Sequence, residues 1–140
     1  MNNPIRVLIL CTGNSARSQM AEGLLRHFGG QDFEVYSAGT QPQGINPLAI
    51  KVMAEYGIDI SEQRSQHVDE FLDEDFDFLI TVCDNARDNC PIFPKPVTQI
   101  HWSNPDPAAQ EGDEEIRLQA FRAVAEGLRG RICAWIETQR

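Results

Sequence analysis

Ile5–Leu10 (IRVLIL) is an apolar run with β-branched residues, broken only by Arg6. Such a run predicts a strand buried on both faces, the signature of a parallel sheet. A short polar turn containing one glycine follows at Cys11–Ala16. The period then becomes helical from Arg17, with Met20, Leu24, Leu25 and Phe28 on one side and Gly29-Gly30 as the stop. Phe33–Ser37 alternates and reads as a second strand that exits through Ala38-Gly39-Thr40. Pro47 suits a helix start, and Leu48, Val52, Met53 and Tyr56 give that helix its apolar face before Gly57. A short helix is expected around His67–Leu72, a third strand over Phe76–Cys83, and a fourth over Val97–Trp102. Asp113-Glu114-Glu115 places negative charge where a terminal helix begins, which the helix dipole favours. The predicted stripe of that helix is Ile116, Ala120, Phe121, Val124, Leu128, Ile132 and Trp135.

Strands alternating with helices predict a single α/β domain over residues 1–140. Its expected core is a four-stranded parallel sheet flanked by helices. No repeat, linker or low-complexity tract interrupts it. In such folds ligands sit beyond the carboxyl ends of strands. This reading puts both Cys11 and Cys83 there.

Length and charge narrow the possibilities. The 140 residues suffice for one ordinary core. A formal net charge of -9, from 12 Lys+Arg against 21 Asp+Glu, argues against a surface that neutralises nucleic-acid phosphates. The deficit is uneven: residues 1–31 hold Arg6, Arg17 and Arg26 against Glu22 alone. No segment approaches the ~18 consecutive apolar residues of a membrane helix. The N-terminal apolar run is too short for a signal-peptide core, so a cytoplasmic protein is expected. Four cysteines, Cys11, Cys83, Cys90 and Cys133, are too few for a disulfide scaffold, and catalytic, metal-binding or buried roles come first.

The segment Cys11-Thr12-Gly13-Asn14-Ser15-Ala16-Arg17-Ser18 carries the clearest chemistry. A loop wrapping into a helix N-terminus aims several backbone N–H groups at one point, and the helix dipole favours an anion or a thiolate there. Arg17 can grip two oxygens of a tetrahedral oxyanion, and Ser18 can donate to the Cys11 sulfur. The loop lacks the lysine and the second glycine of a nucleotide P-loop. The competing reading makes Cys11 a small buried residue at a strand end. In TVCDNARDNCP, Asp84, Asn85, Arg87, Asp88 and Asn89 make the stretch between Cys83 and Cys90 polar, hence exposed and mobile. That suits two thiols that must meet and then be reached by another protein. A zinc site with His101 as a fourth ligand is the alternative. In SNPDPA, Asp106-Pro107 is strong turn chemistry.

Taken together, VLILCTGNSARSQMAEG, Ser37–Thr40, Gly57–Ser61, the Cys83–Cys90 segment and Asp106-Pro107 resemble the low-molecular-weight tyrosine phosphatase superfamily. Within it, the chain is most similar to thioredoxin-coupled arsenate reductases. The resemblance implies the fold of that superfamily and a role in reducing arsenate to arsenite for arsenic detoxification. By the same resemblance, residues 12–18 (Thr12, Gly13, Asn14, Ser15, Ala16, Arg17 and Ser18) bind the oxyanion and Cys11 is the nucleophile. Cys83 then resolves the adduct, and Cys90 forms a Cys83–Cys90 redox disulfide for thioredoxin. Asp106 protonates the departing oxygen. No tightly bound cofactor is implied. Asn14, Glu22 and Ser37 match positions that hold potassium in some arsenate reductases, although Gln66 stands where those sites carry an aspartate. Where the phosphatases carry aromatic residues after the Asp-Pro, this chain has Ala108-Ala109-Gln110. A phosphatase of phosphotyrosine or small phosphomonoesters remains the rival enzyme, and a non-catalytic redox or zinc sensor the rival from another class. Cys133 is expected to serve packing or surface.

Overall fold

A computed structural model describes residues 3–140. Four strands, β1 (Ile5–Cys11), β2 (Phe33–Gly39), β3 (Phe78–Thr81) and β4 (Thr98–His101), form one sheet in the order β2-β1-β3-β4. Every pairing is parallel. The expected four-stranded parallel sheet is therefore present. β1 is central, and Val7 through Cys11 are buried, which is why its sequence shows no alternation.

Helices α1 (Arg17–Gly29), α2 (Pro47–Glu55), α3 (Asp84–Asp88) and α4 (Glu114–Thr138) accompany the sheet. Local chemistry sets several ends. Asn46 caps α2 by accepting from the Leu48 N–H at 2.9 Å, with Pro47 in the first turn. Asp113 caps α4 by accepting from the Ile116 N–H at 3.0 Å. The short helix expected near His67–Leu72 is a 3-10 turn over Val68–Phe71. Among the described residues, no helix is long and apolar enough to cross a membrane.

Two expectations need correction. The third strand stops at Thr81 rather than at Cys83, so Cys83 lies in the strand-to-helix connection. The polar stretch after it is exposed as expected, but its residues are ordered as the short helix α3, with Ala86 buried underneath. The core face of α4 is Leu118, Phe121, Val124, Ala125, Leu128, Ile132 and Ile136. Ile116 is instead half exposed; at the first turn its side chain lies against Gly112 rather than the sheet. Trp135 sits at the border of that face, among Phe33, Phe78 and Trp102, with ring centroids 5.1–6.1 Å away.

The register explains where chemistry collects. Leu10 pairs with Thr81, and the Val82 N–H donates to the Leu10 carbonyl at 3.0 Å. Cys11 and Cys83 thus leave the carboxyl ends of adjacent strands side by side.

Candidate active site

The loop from Cys11 to α1 is fixed from three directions. The N–H groups of Gln41, Gln43 and Asn46 donate to the carbonyls of Thr12, Gly13 and Ser15 at 2.8–3.0 Å. Asn14, fully buried, takes a left-handed conformation (φ 45°) that asparagine tolerates better than most residues. Its Nδ2 donates to Ser18 Oγ and Ser37 Oγ, and its Oδ1 accepts from the Gln66 N–H. β2 approaches the loop through Gly39, which pairs with Cys11. A Cβ on Gly39 would lie 2.5 Å from the Thr12 carbonyl oxygen and 2.9 Å from the Asn14 nitrogen.

With those carbonyls engaged, the loop encloses a cavity of about 190 Å³. Cys11, Thr12, Gly13, Ser15, Ala16 and Arg17 line it from the loop, and Gln43, Asn46, Asp106 and Ala108 from the far side. No side chain caps α1 and its first turn holds no acid, so its N-terminus keeps its positive end toward this space. The cavity therefore suits a small oxyanion despite the net charge of the chain.

The Cys11 Sγ lies 2.9 Å from Ser18 Oγ and is buried. Arg17 Nη1 donates to the Asn104 carbonyl at 3.0 Å. Asn104 is held in turn, its Nδ2 donating to the Val82 and Trp102 carbonyls. Asp106 Oδ1 accepts from the Ala108 N–H at 3.0 Å, so the turn reading and placement at the cavity hold together.

Cys83 is buried and caps α3, its sulfur accepting from the Ala86 N–H at 3.4 Å. Thr12 Oγ1 lies 3.4 Å from the Cys83 sulfur and donates to Asn85 Oδ1 at 3.1 Å. Thr12 thus spans the gap between the loop and the second thiol. Cys90 lies beyond α3, partly buried, with its thiol donating to the Pro91 carbonyl at 3.4 Å. Burial pushes its thiol above the ordinary value of 9.0. None of the four cysteines is bridged. Cys133 is half-buried on α4, outside the site.

Asn14, Glu22 and Ser37 do converge, but their polar atoms face one another. Ser37 Oγ donates to Glu22 Oε1, and Glu22 Oε2 pairs with Arg26 at 2.8 Å. Burial raises the Glu22 carboxyl, while the Ser37 hydroxyl and Arg26 lower it. Asn14 presents N–H rather than oxygen to this group. A potassium ion needs several free oxygens. As arranged, these three side chains do not fit one, because Arg26 already supplies the cation. Nor do the described residues gather three His, Cys, Asp or Glu side chains able to hold a metal ion, which leaves the zinc alternative without ligands.

Sequence reasoning missed Gly39, Gln43, Asn46 and Asn104, and weighed His101 only as a zinc ligand. Only Gly39 left a usable trace, a glycine at the end of the strand that pairs with β1. His101, at the end of β4, contacts Thr81 Oγ1 through Nδ1 at 2.7 Å and Asp84 Oδ1 through Nε2 at 2.8 Å. Hydrogen bonds from His101 and then Ser103 hold the Asp84 carboxyl below its ordinary 3.8.

Comparison with known proteins bears on this geometry. A family model described as low molecular weight phosphotyrosine protein phosphatase matches residues 6–139. An arsenate reductase of Bacillus subtilis (strain 168) is 43% identical over 138 residues, which is 99% of this chain and 99% of that one. A solved structure described as an arsenate reductase in the oxidized state superposes with a TM-score of 0.80 at 32% identity, over 95% of this chain and 97% of the other. The thioredoxin-dependent arsenate reductase of Corynebacterium glutamicum gives a TM-score of 0.75 at 28% identity, over 100% of this chain and 66% of that longer one.

Proposed function

The chain belongs to the low-molecular-weight phosphotyrosine phosphatase family and stands among its arsenate reductases, and from that premise we propose that it reduces arsenate to arsenite through a relay of Cys11, Cys83 and Cys90 that a thioredoxin recharges. The observation that carries this reading is the placement of Cys11 and Cys83 at the carboxyl ends of adjacent strands, joined through Thr12.

Arsenate enters the loop cavity, held by backbone N–H groups, the α1 N-terminus and the Arg17 guanidinium. The Cys11 thiolate attacks arsenic, and one arsenate oxygen leaves as water with a proton from Asp106. General acid help of this kind contributes roughly 10²–10⁴-fold. The Cys83 thiolate then attacks the Cys11 sulfur. A sulfur–sulfur bond forms, the sulfur–arsenic bond breaks, and its electron pair stays on arsenic, which departs as arsenite. Cys90 attacks Cys83 by thiol–disulfide exchange and frees Cys11 as thiolate. Two electrons have left two thiols, and the remaining Cys83–Cys90 disulfide takes two back from the thioredoxin dithiol.

Simple phosphoester hydrolysis would need neither Cys83 nor Cys90, which is why the relay is preferred. The test is arsenate-dependent NADPH oxidation in the presence of thioredoxin and thioredoxin reductase. Turnover that requires all components is expected. Its absence, in an assay validated with an established reductase, would overturn the reading.

A further inference from the structure

α3 has five residues, too few to persist without outside support. At its far end, Asn89 bonds only within the helix, to the Asn85 carbonyl. At its near end it is tied down by the sheet. The His101 Nε2 meets Asp84 Oδ1 at 2.8 Å, and the His101 Nδ1 meets Thr81 Oγ1 at 2.7 Å. A carboxylate only accepts, so Nε2 carries the hydrogen, and in the neutral ring Nδ1 accepts from the Thr81 hydroxyl. One imidazole therefore links the ends of β3 and β4 to the first residue of the helix that separates Cys83 from Cys90. Its side chain is 21% exposed against 58% for Asp84, so the bond is sheltered on the histidine side.

Cys83 and Cys90 flank α3 and stand seven residues apart. At a helical rise of 1.5 Å per residue they are held about 10 Å apart, and a disulfide needs Cα atoms within roughly 4.4–6.8 Å. α3 and the bridge exclude each other.

We infer that His101 is a positioning residue: its bond to Asp84 is a latch made in the dithiol form, lost when Cys83 and Cys90 join, and it thereby sets the redox potential of the pair. This inference rests on the proposed relay. A contact made in only one redox form stabilises that form. The latch favours the dithiol and makes the disulfide easier for a partner dithiol to reduce, which is what recharging requires.

The test is a redox titration of the Cys83–Cys90 pair in a Cys11→Ser background, against mixtures of reduced and oxidised glutathione. Oxidised glutathione takes the two electrons and becomes two reduced molecules. Alkylation and peptide mapping identify the bridge. Asp84→Ala and His101→Ala should each shift the equilibrium about five- to tenfold toward disulfide, the lower range for a charge-assisted bond in a half-exposed place. A tenfold shift lowers the potential by about 30 mV. The double variant should shift by less than the sum of the two single ones, because both remove the same contact, while Asp84→Ala also loses its bond to Ser103. His101→Gln, which keeps a donor near the Nε2 position, should stay close to the parent. Asp84 is exposed, so Asp84→Ala carries the test if replacing His101 impairs folding. Variants that titrate together with the parent would overturn the latch and leave the relay standing. A parent that forms no Cys83–Cys90 bridge under oxidising conditions would overturn the relay itself.

Discussion

Arg17 is fixed by Asn104 through a single nitrogen, which leaves the rest of its fork free for an oxyanion. Lysine would keep the charge and lose both the tether and the bidentate grip. Arg17→Lys should weaken phosphate or arsenate binding at least about tenfold, read by calorimetric titration, with little change in melting temperature. Unchanged affinity would refute the bidentate role. Gly39 works by absence. The carbonyl of Thr12 and the nitrogen of Asn14 occupy the space a methyl group would need, and both are backbone atoms that cannot swing aside. Gly39→Ala should therefore cost about 1–3 kcal/mol of stability and also degrade oxyanion binding, since the displaced atoms belong to the loop itself. Denaturant unfolding and the same titration check both effects, and a variant that binds normally would show that the loop can yield.

The element that matters most is α3. Its persistence places Cys83 under the loop and keeps Cys90 away, so the first thiol exchange and the second need different conformations. Cys90→Ser should leave the folded form intact, because serine is close to cysteine in size and keeps a donor for the Pro91 carbonyl. It should release about one arsenite per protein molecule and then stop, with Cys11 and Cys83 bridged in the stalled product. Rapid-quench arsenite counting and peptide mapping read this, and steady turnover like the parent's would remove Cys90 from the relay. The sequence marked Cys83, Cys90 and the polar residues between them, but not the helix. Five polar residues have no apolar period to declare one, and α3 exists because Cys83, Thr12 and His101 hold its first turn. The α4 face was read in part for a related reason. Phe121, Val124, Leu128 and Ile132 lie on the buried face as expected; Leu118, Ala125 and Ile136 stand three or four residues from them and obey the same period, but packing decides that the face centres there rather than on Ile116 and Ala120.

Across the whole molecule, acidity is managed by pairing. Glu126 is held down to about 2 by Arg129 and Tyr56, while Arg122 lowers Glu55, and Tyr36 and then Arg6 lower Glu34. Carboxylates lowered on folding contribute stability that is fully present above their ordinary 4.5 and is lost as pH falls through the folded values. Glu22, raised by burial, works in the opposite sense but stands alone among these glutamates. The melting temperature should therefore fall as pH drops from about 4.5 toward about 2. High salt should blunt the fall, because most of these pairs are exposed. Calorimetry across that window decides it, and a flat profile would mean the pairs contribute nothing.

What the sequence determined by itself was set by near neighbours. It carried the buried central strand, the alternation of strands and helices, the starts of α1 and α2, and the nucleophile loop with its cysteine and arginine. Each follows from residues a few positions apart acting through period, capping or turn chemistry. Tertiary structure decided what depends on distant chain segments meeting. It brought Gly39 against the loop, Asn104 to Arg17 across 87 residues, and His101 to Asp84 across 17. It also turned Asn14, Glu22, Ser37 and Arg26 into a closed polar knot rather than a cation site. The physical reason is that a hydrogen bond depends on position in space, and position in space is fixed by the packing of the whole chain.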